Sequence, residues 1–454
     1  MSETIAAIAT GSAAGGIGVI RISGDSAIEV AQKVFRSVDS APLSSLAGYT
    51  AKFGRVYKDG AAFDQAVALV FRAPKSYTGE DVVELSVHGG IYVVEKTLEA
   101  VFDAGAVPAQ PGEFTKRAFL NGKMDLTEAE SVASIISATG ETAAKSAYTT
   151  LSGALYEKIS AVLASLMDCS AQMAAWVDYP DEEIDDLSSD SLIDTLTSAK
   201  NELTSLLSDY ESGQIMTCGI DTAIVGRPNV GKSSLMNLLS GQEKSIVTDM
   251  QGTTRDIVES TVRLGSLVLH LSDTAGLRKS DDKVESIGIQ RAMDKIQQAM
   301  LVLAVFDSSQ ELTEEDRKLI ELCKGKHAIA VMNKQDLECT AKTQPLKDVF
   351  SSIVFLSAKE KTGKEDLEKA IKDLLGVADF DAASPILANE RQRRCCKDAL
   401  SSIAEALSAA EAGMTYDAIN VMIDSAVDFL LSLMGKKATE EVVNNIFSKF
   451  CVGK

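Results

Sequence analysis

The sequence predicts a multidomain α/β chain: an N-terminal α+β domain, then a discontinuous helical domain with a P-loop domain inserted into it. Three observations carry that prediction. The apolar run Ile220–Val225 ends in Gly226-Arg-Pro-Asn-Val-Gly231-Lys232-Ser233-Ser234, which fits G-x-x-x-x-G-K-[ST] between a strand and a helix. Further polar motifs follow it in order as far as Lys359. Amphipathic stretches poor in glycine flank this module, and neither half closes a core alone. The expected boundaries are 1–120 for the α+β domain, 121–216 and 378–454 for the helical halves, and 217–377 for the insert.

The insert is the most legible part. Glycines let successive N–H groups of Asn229, Val230 and Gly231 turn inward onto a β-phosphate. Lys232 then spans the β- and γ-phosphates, and the Ser233 hydroxyl ligates Mg²⁺. A helix is expected over Ser234–Leu239, its N-terminus toward the anion. Gly252-Thr253-Thr254-Arg255-Asp256 supplies a second hydroxyl for Mg²⁺, at Thr254. Asp273-Thr274-Ala275-Gly276 follows the predicted strand Leu267–Leu271, with a carboxylate for the Mg²⁺ region and a glycine N–H for the γ-phosphate. Asn333-Lys334-Gln-Asp336 follows the predicted strand Ala328–Met332. A carboxylate there accepts both N1–H and N2–H of guanine, a donor pair that adenine lacks, so Asp336 selects GTP over ATP. Ser357-Ala358-Lys359 follows Ile353–Leu356 and resembles the guanine-backing turn of GTPases. Together these motifs predict a Ras-like P-loop GTPase domain.

Composition bounds the rest. The 454 residues suffice for about three domains. The expectation is a cytoplasmic protein: no run is long enough to span a membrane, and Met1–Thr10 lacks a signal-peptide pattern. Seven cysteines without a CxxC pair favour a reducing compartment, and three histidines make a histidine-based metal site improbable. The net charge of −20 disfavours non-specific nucleic-acid binding, and residues 1–123, with 12 Lys+Arg and 13 Asp+Glu, are nearly neutral. Any RNA contact then needs a local basic patch or a second protein; Arg391–Lys397 is basic, but one such helical turn is as readily a solvated face.

Before residue 121, strands are expected at Ile5–Ala9, Ile17–Ile22, Lys52–Tyr57, Gln65–Phe71 and Val82–Val87, with helices at Ala27–Phe35 and Tyr92–Phe102. The cluster Gly15–Gly16–Gly18 lacks a P-loop lysine and the dinucleotide order, so no second nucleotide site is expected. Leu126–Ile136 begins the long helices, and Asp178–Asp190 is expected as an acidic connection between two of them.

Several stretches are more particular. Gly16-Ile-Gly-Val-Ile-Arg-Ile-Ser-Gly24, Tyr77-Thr-Gly-Glu-Asp81, Pro111-Gly-Glu-Phe-Thr-Lys-Arg-Ala-Phe119, Leu120-Asn-Gly-Lys123 and the final Cys451-Val-Gly-Lys454 stand in this order. With them the chain resembles, along its whole length, the bacterial tRNA-modification GTPases called MnmE or TrmE. Departures are small: Gly11-Ser-Ala-Ala14 replaces a segment usually containing proline and arginine, and Val452 replaces the commoner isoleucine. The resemblance implies a homodimer joined through N-terminal domains that bind 5-formyltetrahydrofolate or a related folate. Arg21, Glu80 and Lys123 would contact it, with Lys454 close by. Without the resemblance, Arg21 reads equally as a surface arginine and Glu80 as a turn carboxylate. It also implies tRNA as substrate and an FAD-containing partner, MnmG (GidA). With that partner the family installs a carboxymethylaminomethyl-type group on a wobble uridine.

For hydrolysis, Leu277 stands where many GTPases carry a water-orienting glutamine. By resemblance Glu285 takes that role; read alone it is also a carboxylate near a helix N-terminus. Arg255 and Arg278 are formal arginine-finger candidates, whereas the family uses K⁺ held by Asn229 and by a loop that here contains Thr248, Met250 and Thr253. Cys451 has two readings. It is either a thiol activated by the neighbouring Lys454 cation for the modification chemistry, or a small buried apolar residue. The competing function, a switch on ribosomal RNA or a partner protein with hydrolysis as a timer, would ordinarily append a compact basic domain. Here the appended regions are acidic or nearly neutral.

Overall fold

The computed structural model describes residues 3–11, 13–178, 189–241, 260–272 and 296–454. Two compact units result: Met1–Ala133, Tyr156–Thr195 and Ser401–Lys454 in the first, and Ser134–Leu155 with Leu196–Leu400 in the second.

The first unit contains β1 (Ile5–Ile8), β2 (Ile17–Ser23), β3 (Phe35–Ser37), β4 (Thr50–Lys58), β5 (Ala61–Phe71), β6 (Val82–His88) and β7 (Val107–Pro108). They form one sheet in the order β3-β4-β5-β6-β2-β1-β7, with β1 and β7 parallel. Period-2 alternation sends Ile20, Ile22, Val83 and Leu85 into a core shared with Val30 and Val34 of helix Ala27–Val34 and with Val94 and Val101 of helix Ile91–Asp103. The same alternation turns Arg21 and Ser23 to the opposite face. That helix ends one residue before the expected Phe35, because Phe35 opens β3 and pairs with Val56. Helix Glu113–Leu120 was not expected from periodicity; Gly112, in the left-handed region at φ 66°, sets its start.

Tyr156–Asp178 of helix Ala154–Asp178 and helix Tyr416–Met434 run antiparallel within this unit. Trp176 stacks edge-on against Tyr416 at 5.2 Å, the Ser170 hydroxyl donates to Asp424 at 2.9 Å, and the Lys436 ammonium lies 5.4 Å from the Tyr156 ring centre. Leu155, Ile159, Leu166, Met173, Ile423 and Leu430 are buried along them, each such side chain contributing about 1.5–3 kcal/mol of hydrophobic stabilisation.

The second unit holds β8 (Ile220–Val225), β9 (Ser260–Leu264), β10 (Leu267–Ser272), β11 (Leu301–Asp307), β12 (Ala328–Asn333) and β13 (Ser352–Phe355), ordered β13-β12-β11-β8-β10-β9. All pair in parallel except β9 with β10. Both faces are covered: Leu301, Leu303 and Val305 enter one core, and Val302, Ala304 and Phe306 the other. That double burial explains why β11 reads as an unbroken apolar run. In this unit Cys396 meets the Leu203 carbonyl at 3.8 Å, and the Arg393 guanidinium lies 5.6 Å from the Tyr210 ring centre. Among the described residues, no helix is long and apolar enough to cross a membrane.

Candidate functional site

In an open parallel sheet, ligand-binding loops gather beyond the carboxyl ends of the strands. The second unit follows this rule: Gly226, Ser308, Lys334 and Leu356 each begin where β8, β11, β12 or β13 stops.

The P-loop has little room for side chains. Gly226 has φ 158°, within the extended range, yet a Cβ on it would lie 2.5 Å from the Val305 carbonyl oxygen. Gly231 adopts φ 97°, and a Cβ there would lie 2.1 Å from Asn333 Nδ2. Asn229 is also left-handed, at φ 65°, and exposed. Successive turns of this kind aim backbone N–H groups at one point, the geometry that cups a phosphate. Helix Lys232–Ser240 starts directly after Gly231, two residues earlier than expected, because glycine takes the left-handed position just before its first turn. Lys232 folds over the loop, Nζ donating to Gly226 O at 2.7 Å and Arg227 O at 2.8 Å, and burial pushes its ammonium below the ordinary lysine value. A phosphate anion would offset that desolvation. Ser233 and Ser234 are exposed in the first helical turn.

The loop Asn333–Asp336 is tied to the P-loop by one buried side chain. Asn333 Nδ2 donates to Val230 O at 2.9 Å, while its Oδ1 accepts from Lys334 N at 2.8 Å and Ala358 N at 3.1 Å. Asp336 Oδ1 accepts from the Ser357 hydroxyl at 2.7 Å, and Lys359 Nζ lies 3.5 Å from Oδ2. The Ser357 hydrogen bond chiefly, with Lys359 adding to it, holds the Asp336 carboxyl below the usual carboxylate range. It therefore stays an acceptor as pH falls, until pH passes that depressed value. Asn229, Val230, Gly231, Lys232, Ser233, Asn333, Lys334, Asp336, Ser357, Ala358 and Lys359 thus gather around the ends of β8, β12 and β13. Thr248, Met250, Thr253, Thr254, Asp273, Thr274, Ala275, Gly276 and Glu285 lie outside the described residues, as do Arg255, Leu277 and Arg278.

In the first unit, Arg21 sits directly across from Glu84 in the β2–β6 register, and its Nε donates to Glu84 Oε1 at 2.8 Å. Its guanidinium lies 5.4 Å from the Tyr77 ring centre and 5.6 Å from that of Phe114, and Nη1 donates to Gly453 O at 3.3 Å. Residues 451–454 are therefore folded onto this sheet, with Gly112 N donating to Cys451 O and Phe114 N to Lys454 O. Glu80 accepts from Ser23 Oγ at 2.8 Å and from Arg117 Nη1 at 3.1 Å. Lys123 packs over Gly79, and its ammonium reaches Pro74 O at 3.1 Å. Burial first, then the charge of Arg21, lowers the Lys454 ammonium, while Glu84 acts the other way. Cys451 is exposed, which removes its reading as a buried apolar residue.

Gly453 has φ 98°, and a Cβ there would lie 2.2 Å from Ile8 O. Gly453→Ala should strain residues 451–454 by about 1–3 kcal/mol and raise amide hydrogen exchange at Phe114, whose N–H donates to Lys454 O, roughly tenfold. Unchanged exchange at Phe114 would contradict the docking of these residues.

Sequence reasoning missed Glu84, Arg117 and Asp307 as members of these sites. The available signal for Asp307 was a carboxylate closing the apolar run Leu-Val-Leu-Ala-Val-Phe.

Residues 4–123 match the family described as the GTP-binding protein TrmE N-terminus, and residues 126–451 match the MnmE helical domain. The tRNA modification GTPase MnmE of Thermoanaerobacter pseudethanolicus is 38% identical over 457 residues, covering 100% of this chain and 99% of that protein. Its counterpart from Carboxydothermus hydrogenoformans is 39% identical and fully covered, and that from Lactobacillus delbrueckii subsp. bulgaricus is 40% identical and 98% covered, each matching 100% of this chain. Among solved structures, the G domain of the T. maritima FeoB iron transporter matches 34% of this chain and 98% of its own length at 27% identity, with a TM-score of 0.25. The full-length relatives and the two family matches decide: this chain belongs to the MnmE family of tRNA modification GTPases.

Proposed function

We propose that this chain hydrolyses GTP within a cytoplasmic complex that modifies the wobble uridine of certain tRNAs to a carboxymethylaminomethyl-type uridine. One observation carries the reading beyond a bare GTPase. The same polypeptide that ties residues 333–336 to the P-loop through Asn333 also folds residues 451–454 back onto the N-terminal unit, where Gly453 O accepts from Arg21, Cys451 O accepts from Gly112 N and the Cys451 side chain is exposed. In this reading GTP is hydrolysed at the P-loop, which leaves the exposed Cys451 for the modification chemistry.

In this proposal GTP lies on Asn229–Ser234, and Asp336, backed by Ser357–Lys359, reads its guanine. Mg²⁺ is held by Ser233 and Thr254, with the Asp273–Gly276 loop beside it. K⁺ is held by Asn229 with Thr248, Met250 and Thr253, where it would neutralise charge between the β- and γ-phosphates as an arginine finger does elsewhere. Asn229 is exposed and left-handed within the P-loop, so its side chain is free of the core. Glu285 orients the attacking water. Meeting of two GTPase domains activates hydrolysis, and residues 1–120 join the homodimer. A folate is bound through Arg21, Glu80, Lys123 and Lys454. Its carboxylates would place an anion beside the Lys454 ammonium, which burial and the Arg21 charge hold below the ordinary lysine value. The FAD-containing partner MnmG (GidA) completes the modifying complex.

Cys451→Ser separates the two chemistries. GTP turnover and melting temperature should stay within about twofold of wild type, while the modified wobble nucleoside falls at least about tenfold in cells. Normal modification by the variant would return Cys451 to an accessory place.

A further inference from the structure

The guanine loop is held from below by a segment to which no motif draws attention. Asp307 closes β11 opposite Asn333 in the β11–β12 register, and its side chain is 2% exposed. Its Oδ2 accepts from Lys334 Nζ at 2.6 Å, and its Oδ1 accepts from Ser309 N at 3.0 Å and Ser309 Oγ at 2.7 Å. The next residue, Ser308, donates to Asn333 O from N at 3.0 Å and from Oγ at 2.7 Å, and its own carbonyl accepts from Thr340 N and Ala341 N. Lys334 is left-handed at φ 66°, a conformation that a lysine keeps only when its surroundings determine it.

We propose that Asp307 is a positioning residue for guanine selection: by anchoring the Lys334 ammonium it fixes the left-handed turn between Asn333 and Asp336. Asn333 is thereby kept on Val230, and Asp336 is kept aimed at the base. Asp307 touches neither guanine nor phosphate. It acts through Lys334, so its removal should weaken nucleotide binding and base discrimination and leave the hydrolytic step alone. Burial raises the Asp307 carboxyl, but the Lys334 and Ser309 hydrogen bonds outweigh it and hold the group below the ordinary aspartate range. The anchor is therefore charged at neutral pH.

The inference rests on reading residues 333–336 as the guanine loop, and the full chain tests both together. Asp307→Ala should raise KM for GTP about 30-fold, with kcat at saturating GTP within about threefold of wild type. The preference for GTP over inosine triphosphate, which lacks the N2 amino group, should narrow several-fold. Asp307→Asn keeps hydrogen-bonding atoms but loses the charge, so its KM should rise only about fivefold. In a Lys334→Ala background, adding Asp307→Ala should change KM less than about twofold, since the anchored group is already gone. If Asp307→Ala does not fold, Asp307→Asn decides alone. Unchanged KM in these variants, or KM, kcat and melting temperature all worsening with base preference intact, would overturn the assignment. Should Asp336→Asn also leave GTP affinity untouched, the guanine-loop reading itself fails; should it weaken GTP while Asp307 variants do not, only the positioning role falls.

Discussion

Asp336→Asn should raise the GTP concentration needed for half-saturation about a thousandfold, because a site built to receive two N–H donors discriminates strongly when that complement is lost. The carboxylate is already oriented by Ser357 and charged at neutral pH, so little rearrangement precedes guanine binding. An asparagine amide puts a donor where guanine's N2 amino group also donates. Xanthine carries a carbonyl at that edge, so xanthosine triphosphate should become the better ligand. Competition of the two nucleotides against a fluorescent GDP analogue reads the exchange. Wild-type GTP affinity in the variant would remove the guanine loop from residues 333–336.

Glu285→Ala should lower turnover about 100-fold and leave GTP affinity within about threefold, the pattern of a lost water-orienting or general-base group. The argument is one of substitution. Leu277 fills the place where many GTPases carry glutamine, and an alkyl side chain can neither accept from nor donate to water. Another group must then orient the nucleophile, and the proposed function gives that role to Glu285. Single-turnover hydrolysis with enzyme in excess separates the chemical step from binding. Near-wild-type rates would assign the water to a different residue.

What the sequence made legible follows from local physics. Strand, loop and helix around Gly226–Ser234 could be read because phosphate binding imposes glycine at fixed spacing, and β8 occupies the predicted Ile220–Val225. Of the N-terminal sheet, β1, β2, β4, β5 and β6 came out within a few residues, since alternation and turn residues announce them, whereas the short β3 and β7 were not read. Partners were another matter. Arg21 meets Glu84 and Gly453, which lie 63 and 432 residues away, and Asp307 meets Lys334 across 27. Periodicity tells which face a side chain takes, but register and chain return decide what it meets there. Phe35 shows the same limit: it continues the apolar pattern of its helix, yet pairing with Val56 draws it into a strand. Helix Glu113–Leu120 was hidden for a related reason, its start being set by the left-handed Gly112 and not by amphipathic spacing.

Coupling of GTP hydrolysis to tRNA modification is the central claim, and wobble nucleosides report on it most directly. Total tRNA would be digested and analysed by mass spectrometry from wild-type cells, cells lacking this protein, and cells complemented with wild-type, Glu285→Ala or Cys451→Ser chains. The proposed function predicts that carboxymethylaminomethyl-type wobble uridines vanish with the protein, return with the wild-type chain, and fail to return with either variant. Unaltered wobble nucleosides in cells lacking the protein would contradict it.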